Sequence, residues 1–347
     1  MNGPAPSLAG TLERYKELGR SLFARRDKIF FWSLLCAAAY YIVSFSLLSI
    51  AKQETFSTSA YDAGLYDQAI WLLGRGLVPF TTLKGVNIFG DHFSLGNLLL
   101  VPLFWLWNNI NALYIAQTVC LALPALPLFR FAKEKLNNGW LALTVGLGYL
   151  LYPAVQNMNL ENFHPETLAV LFLVLALYFW RKNNFPFYYP FLLLAVLSKE
   201  DIGLTAAALG LCLLFDHATR RHGLATVAIG LGWYLTATRL LMPLFNGVNI
   251  FAAQPVAYSY WFRALAQNWA NPNYYYAKLL EPATLRYLID LFLPLLFLPL
   301  FSPAFILMAL PALGLNILSG NDYLRSVHFH YNYAVSGLLF FGLIEGL

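Results

Sequence analysis

Residues 28–50 read KIFFWSLLCAAAYYIVSFSLLSI, an uninterrupted apolar run that follows a polar segment of mixed charge, residues 1–28. An α-helix needs about 20 apolar residues to cross the hydrocarbon core of a bilayer. The apolar region of a cleavable signal peptide is shorter, with about 7–15 residues. The run therefore predicts a transmembrane helix rather than a signal peptide.

Nine further apolar runs follow along the chain. They are residues 112–131, 140–155, 167–180, 185–197, 202–215, 224–245, 287–301, 303–319 and 334–347. The composition agrees, because 59% of the residues are hydrophobic and only 11% are charged, against about 25% charged in soluble domains. We expect an all-α fold, a polytopic transmembrane helix bundle with about nine to ten spans over residues 29–347. The last run reaches the end of the chain, so we expect that a C-terminal part follows it.

Basic residues orient the predicted spans. The N-terminal segment is rich in them, and alternating the spans places three later clusters on the same side. These are Arg130, Lys133 and Lys135, then Arg181 with Lys182, then Arg220 with Arg221. Cytoplasmic loops carry an excess of lysine and arginine. We predict a multi-pass protein of the cytoplasmic (inner) membrane with its N-terminus in the cytoplasm, and no nucleic-acid partner.

Acids and histidines collect on the opposite, outer side of the predicted bundle. They are Asp62, Asp67, Asp91, His92, Glu161, His164, Glu166, Glu200, Asp201, His328 and His330, and Lys199 and Arg325 join them. The function of a channel or a scaffold does not require its acids and histidines to lie on one side of the membrane. The sorting therefore predicts a binding or catalytic site on the outer face.

The first outer loop, residues 51–94, contains an amphipathic segment. In YDAGLYDQAIW, residues 61–71, apolar residues recur at helical spacing and Asp62 lies on the same stripe. Asp67 is rotated about 140° away and is expected to face water. Asp62 either points into the protein body or caps the helix N-terminus. Asp91 and His92 close the loop, and residues 95–107 are too short to span, so they predict an interfacial or re-entrant helix.

Two later outer corners also carry charge. Glu161, His164 and Glu166 could bind a divalent cation through oxygen and imidazole, the one cofactor that the sequence suggests. Lys199, Glu200 and Asp201 separate two runs that are short for a span, 185–197 and 202–215. Charges held below the membrane surface pair or line a cavity, so Lys199 either binds a phosphate or is neutralised by its two neighbours.

A third group lies late in the chain, where Arg325, His328, His330 and Tyr331 form a basic, aromatic patch. Another outer loop, residues 246–286, is rich in tyrosine, asparagine and tryptophan. Part of that loop is typical of the aromatic belt found at membrane interfaces.

Five sequence motifs that carry polar or aromatic residues follow one another along the chain. They are YDAGLYDQAIW, FGDHFS, ENFHPE, LSKED and HYNYA, between Tyr61 and Ala334. In this the chain resembles the DUF2079 family of membrane proteins, which is grouped with the GT-C superfamily of polytopic glycosyltransferases. The resemblance implies a polyprenyl-phosphate-linked sugar donor and an acid in the first outer loop. Asp62 and Tyr66 match one GT-C branch, but Gln68 stands where that branch has a further acid.

These observations lead to one main hypothesis, an inverting glycosyltransferase with a polyprenyl-phosphate sugar donor and an unknown acceptor. Asp62 is the candidate base, and Asp91, His92 and Glu161 are further candidate catalytic residues. Candidate substrate-binding residues are Tyr66, His164, Glu166, Lys199, Glu200, Asp201, Arg325, His328, His330 and Tyr331. Candidate metal ligands are Asp91, His92, His164 and Glu166.

Two other classes of protein remain open at this point. Charges below the membrane surface suit a transporter or a lipid-binding membrane protein, although the chain shows no clear internal repeat. The protein could also be a structural subunit of a membrane complex. The long outer loop with its amphipathic helix favours the enzyme.

The predicted topology can be tested with introduced cysteines. We expect an Asn321→Cys variant to react with a membrane-impermeant thiol reagent in intact cells, because residue 321 lies in an outer connection. An Asn183→Cys variant should stay unlabelled until the cells are lysed. The unmodified protein gives the background from its three cysteines, which all lie in apolar runs. Labelling of residue 183 but not of residue 321 in intact cells would reverse the orientation.

Overall fold

The structure is a computed structural model that describes residues 8–247 and 263–347. Residues 1–7 of the predicted N-terminal segment and residues 248–262 of the second outer loop lie outside the described residues. The described parts form an all-α bundle with one two-stranded hairpin. The predicted fold class is therefore confirmed.

The N-terminal half of the bundle begins with one long helix, α1, at Leu8–Glu54. The helix therefore continues without a break from the polar segment through the first apolar run. The elements up to residue 161 are then α2 (Ala60–Leu73), β1 (Phe80–Thr81), β2 (Val86–Asn87), α3 (Ile88–Asp91), α4 (Val101–Leu106), α5 (Asn111–Ala122), α6 (Ala125–Leu136), α7 (Gly139–Leu150) and α8 (Pro153–Glu161).

In its described residues, the C-terminal half contains ten more helices and several single 3₁₀ turns. The helices are α9 (Leu168–Arg181), α10 (Phe185–Ser198), α11 (Ile202–Leu214), α12 (Arg220–Thr236), α13 (Met242–Phe245), α14 (Arg263–Gln267), α15 (Pro272–Leu280), α16 (Pro282–Phe292), α17 (Pro303–Leu318) and α18 (Tyr333–Gly346). A short π-helical segment, Ala237–Leu241, joins α12 to α13.

Within the part of the chain that the structure describes, three helical stretches are long and apolar enough to cross a membrane: Arg26–Glu54, Asn111–Leu136 and Arg220–Phe245. The first of them leaves large apolar side chains uncovered, among them Tyr40 and Leu47, which are 75% and 62% exposed. Such a surface suits lipid rather than water. The other predicted runs form shorter helices, so the number of nine to ten spans stays a prediction.

Helix α2 packs as its amphipathic pattern predicts. Leu65, Ala69 and Ile70 are buried in an apolar cluster with Phe93 and Phe163. Ser59, not Asp62, occupies the N-cap position of α2. Asp62 therefore lies inside the first helical turn and the capping interpretation is wrong. Segment 95–107 forms the expected short helix in two pieces, a 3₁₀ turn at Leu95–Leu99 followed by α4.

Helices α11 and α12 pack closely because glycines face each other where they cross. A Cβ atom added at Gly230 would lie 2.4 Å from the carbonyl oxygen of Gly203, and one at Gly203 would lie 2.5 Å from the carbonyl oxygen of Gly230. Small residues allow this kind of close backbone contact in membrane bundles. The contact fixes where α11 begins, directly after the charged corner at residues 199–201.

We expect Gly230→Ala to lower the thermal unfolding midpoint of the protein in detergent, because the new methyl group meets backbone atoms that cannot move aside. Overpacking of this kind costs about 1–3 kcal/mol. Gly232→Ala is the matched control, since nothing lies within 4 Å of a Cβ atom at that position. Alanine favours a helix over glycine by about 1 kcal/mol, so the control should be neutral or stabilising. Equal effects of the two variants would contradict the close crossing.

Candidate functional site

One cavity of about 650 Å³ collects most of the polar residues that the sequence singles out. Its lining includes Asp62, Tyr66, Asp91, His92, Glu161, His164, Glu166, Lys199, His330 and Tyr331. These residues come from separate parts of the chain: the first turn of α2, the end of α3, the α8–α9 connection, the α10–α11 corner and the turn before α18. The fold therefore joins the predicted outer corners into a single site.

Asp62 differs from the other acids of the cavity in having no partner. Within residues 8–247 and 263–347, its carboxylate forms neither a hydrogen bond nor an ion pair, whereas Asp91, Glu161 and Glu166 are all paired. The packing of helix α2 holds Asp62 in position, because Tyr66, four residues later in the helix, is buried against Phe163. Among the described residues, Asp62 is thus a carboxylate of the cavity wall without an ion-pair partner.

Asp91 is paired with a lysine that the sequence interpretation missed. The Nζ atom of Lys84 lies 2.6 Å from both oxygens of the Asp91 carboxylate. Lys84 lies in the turn between β1 and β2, where Gly85 adopts the left-handed conformation with φ of 70°. Lys84 is one of three basic residues in the outer loop, with Lys52 and Arg75, so its position in the sequence did not single it out.

His92 and Glu200 join the first outer loop to the α10–α11 corner. The His92 Nδ1 atom lies 3.0 Å from Glu200 Oε1, and the backbone N–H of Phe93 donates to Glu200 Oε2. Burial lowers the pKa of the His92 imidazole, but the neighbouring Glu200 carboxylate outweighs this effect and the pKa is raised overall. Glu200 is fully buried behind the cavity wall, so it positions His92 rather than facing a ligand.

Lys199 pairs across the cavity and not within its own corner. Its Nζ atom donates to Glu166 Oε1 at 2.8 Å, with both side chains buried, and it also lies over the Tyr333 ring. Neutralisation by Glu200 and Asp201, one of the two sequence interpretations, is therefore not the main pairing. Asp201 instead accepts a hydrogen bond from the Tyr333 hydroxyl. Burial opposes the charge of Lys199, but the carboxylates of Glu166, Asp201 and Glu200, with Glu166 the largest contributor, outweigh it and raise the pKa of the amine well above its usual value.

Glu161, His164 and His330 form the most compact group in the cavity. The His164 and His330 rings stack with their centroids 3.4 Å apart. Glu161 Oε2 lies 2.8 Å from His330 Nδ1 and 3.6 Å from His164 Nε2. His330 Nε2 lies 3.3 Å from Glu166 Oε1, which links this group to the Lys199 ion pair.

The pKa of each of Glu161, His164 and His330 is shifted by at least one of the other two. Burial raises the pKa of the Glu161 carboxyl, but the contacts with His164 and His330 outweigh it and hold the pKa well below its usual range. Burial lowers the pKa of both imidazoles. For His164 the carboxylates of Glu161 and Glu166 overcome that effect, so its pKa is raised. For His330 burial is reinforced by the neighbouring charge of His164, and its pKa is lowered.

A polar network holds the α8–α9 connection in place. The Gln117 side chain, from α5, accepts hydrogen bonds from the backbone N–H of His164 and from the Thr167 hydroxyl. Its amide nitrogen donates to the carbonyl oxygens of Asn159 and Asn162. Gln117 was missed in the sequence because it lies inside an apolar run. A buried polar residue there has to satisfy its hydrogen bonds internally.

Glu200 and Asp201 lie outside the cavity lining, and so do two other predicted substrate-binding residues, Arg325 and His328. Arg325 is buried and forms ion pairs with Glu281 and Asp322. His328 is exposed and contacts the Asn157 side chain. Neither Arg325 nor His328 lines the cavity that contains most of the other candidate residues. The geometry therefore does not support binding of a carrier phosphate by Arg325.

The predicted metal ligands are only partly brought together. Among the described residues, one group of three histidine, cysteine or carboxylate side chains has its ligand atoms within 4.8 Å of one another, and it consists of Glu161, His164 and His330. Of the expected ligands, Asp91 is paired with Lys84 and Glu166 with Lys199. His330 comes from a turn that the sequence assigned to substrate binding.

We expect Lys199→Met to destabilise the protein, because it leaves the buried Glu166 carboxylate without its main cation. Breaking a buried ion pair costs about 3–5 kcal/mol, which should appear as a large fall in the thermal unfolding midpoint. The double variant Lys199→Met with Glu166→Gln should recover most of that loss. Arg286→Ala is the control, because its pair with Asp290 is exposed and such pairs contribute at most about 1 kcal/mol. Similar small losses in both single variants would contradict a buried pair.

Comparison with known proteins adds a family but no activity. The family described as predicted membrane protein (DUF2079) matches residues 52–347, which include every motif of the cavity. Searches of curated proteins and of solved structures gave no significant match. The matched range covers most of the chain, and the chain therefore belongs to the DUF2079 family of membrane proteins.

Proposed function

We propose that this membrane protein is a glycosyltransferase that takes a sugar from a polyprenyl-phosphate donor at the outer face of the cytoplasmic membrane. The observation that carries the proposal is the unpaired Asp62 carboxylate in a cavity where the other acids are paired with cations or imidazoles. An unpaired carboxylate can accept a proton without first losing a salt bridge. A general base needs this freedom as well as reach to its substrate.

In the proposed reaction the oxygen of an acceptor hydroxyl attacks the anomeric carbon of the sugar. The bond between that carbon and the phosphate oxygen breaks, and polyprenyl phosphate leaves with the electron pair. Asp62 takes the proton of the attacking hydroxyl, so the acceptor gains the sugar and the carboxyl gains a proton. Attack from the side opposite the phosphate inverts the anomeric centre.

Binding of the donor is supported by two further features of the cavity. Lys84 and Lys199 both line it, and ammonium groups are common partners of phosphate oxygens. Tyr61, Tyr66, Tyr323, Phe329 and Tyr331 add aromatic surface. Ligand sites typically combine such surface with a few polar groups.

A separate apolar groove supports a prenyl chain as part of the substrate. It has a volume of about 460 Å³ and is lined by apolar side chains of α4, α5 and α9, including Leu103, Ile115 and Phe172. Leu168 lines this groove only two residues after Glu166, which lines the polar cavity. A polar head and an apolar chain of one molecule could therefore bind side by side.

We expect Asp62→Asn to reduce sugar transfer by about 10²–10⁴-fold, the usual contribution of general-base catalysis. The assay uses protein reconstituted with native membrane extract as acceptor source and a panel of synthetic polyprenyl-phosphate sugars. Mass spectrometry then measures the polyprenyl phosphate that is released. Asp67→Asn is the matched control, because Asp67 lies on the same helix but does not line the cavity.

The two variants together decide the role of Asp62. Asn is nearly isosteric with Asp, so the folded yield of both should equal that of the wild type. Mild and equal losses of activity would exclude Asp62 as the base. Loss of folded protein in Asp62→Asn alone would show that the carboxylate is needed for packing. If no polyprenyl phosphate is released from any donor, the proposed glycosyltransferase activity is contradicted.

A further inference from the structure

We propose that Glu161, His164 and His330 bind a divalent first-row transition-metal ion such as Zn²⁺ in the cavity wall. The proposal concerns binding and does not depend on the transfer reaction. It rests on the geometry of the three side chains, on an unpartnered buried nitrogen and on the residues that hold the ligands from behind.

Glu161 Oε2 lies within hydrogen-bond distance of His330 Nδ1, at 2.8 Å, but its distance to His164 Nε2 is too long for a hydrogen bond. The 3.6 Å between Glu161 Oε2 and His164 Nε2 is longer than an N–H···O hydrogen bond, which spans about 2.7–3.2 Å. Two ligands that each lie about 2.0–2.1 Å from a tetrahedral Zn²⁺ ion are about 3.3 Å apart. The three ligand atoms lie within 4.8 Å of one another, so shifts of about 1 Å would close the site around an ion.

An unpartnered buried atom points to a ligand independently. His164 is only 3% exposed, yet its Nε2 atom has no hydrogen-bond partner among the described residues. Leaving a buried polar atom unpaired costs about 1–3 kcal/mol. The backbone of His164 is held by Gln117, so the ring is kept in place while its free nitrogen faces Glu161. A metal ion would satisfy this nitrogen.

The residues behind the ligands match the usual support of a metal-bound histidine. Such a histidine commonly donates its second ring N–H to a carboxylate. If His330 binds the ion through Nδ1, beside Glu161, its Nε2 faces the Glu166 carboxylate in an ion-pair contact of 3.3 Å to Oε1. Glu166 is in turn held by Lys199. The buried ion pair would therefore orient His330.

The ligand types select the class of metal. Mg²⁺ and Ca²⁺ bind mainly oxygen ligands, whereas imidazole suits Zn²⁺ and its first-row neighbours. Two imidazoles and one carboxylate also form a three-ligand set that leaves a fourth position open. All three side chains line the cavity, so that position would be accessible to water or to a ligand oxygen.

The test is metal binding to the purified full-length protein after chelator treatment, with Co²⁺ as the probe. We expect one equivalent of Co²⁺ to bind, with visible d–d absorption of a nitrogen- and oxygen-ligated ion, and Zn²⁺ to displace it while Mg²⁺ does not. The wild type alone can overturn the proposal, because absence of a Co²⁺ spectrum at saturating metal would exclude the site whatever the variants do.

Variants then locate the ion. His330→Ala and Glu161→Gln should weaken Co²⁺ binding by more than about 100-fold, and Glu166→Gln by about 10–100-fold, the usual effect of losing the partner of a ligand. His328→Ala is the matched control, because this exposed histidine is two residues from His330 and outside the cavity lining. Equal affinity in His330→Ala and His328→Ala would show that the ion binds elsewhere. Zn²⁺ should also raise the thermal unfolding midpoint of the wild type but not of folded His330→Ala.

Discussion

The cavity depends on the neutralisation of Glu166, a carboxylate that lies in the centre of the site and is 2% exposed. A buried charge of this kind is stable only when it is paired and hydrogen-bonded. Lys199 supplies the cation from the α10–α11 corner, and His330 approaches the same oxygen from the turn before α18. One carboxylate thus ties three connections together, and the positions of Glu161, His164 and Tyr333 follow from those contacts.

The surrounding helices make such a polar centre possible. Irregular backbone is tolerated at membrane depth where it lines a cavity and where its polar groups are satisfied. Gln117 does this for the α8–α9 connection, and Asn316 with Asn332 and Tyr287 forms a similar network below the last turn. The glycine crossing of α11 and α12 holds the Lys199 corner from the other side. The site is therefore built on connections, but rigid helices fix where each connection lies.

The sequence predicted the helical class, the stripe of α2 and the corners that meet in the cavity, because apolar periodicity and charge position are local properties. It could not predict pairings across long separations. Lys199 stands beside two acids but pairs with Glu166, 33 residues away, and His330 meets Glu161 from a separation of 169 residues. The partner of Arg325 was missed for the same reason, because Glu281 is 44 residues away. Charge spacing along the chain indicates which residues need partners but not which partners they find.

The charge of the cavity links its two proposed properties. Four carboxylates, of Asp62, Asp91, Glu161 and Glu166, face only two lysines in the lining. With neutral histidines the described lining therefore has a formal charge of −2, which disfavours a phosphate. A divalent ion at Glu161 would offset this negative charge. With the proposed ion in place, Asp62 would stay free to act as the proposed base and Lys84 and Lys199 would meet the phosphate, so on electrostatic grounds the two proposals are compatible.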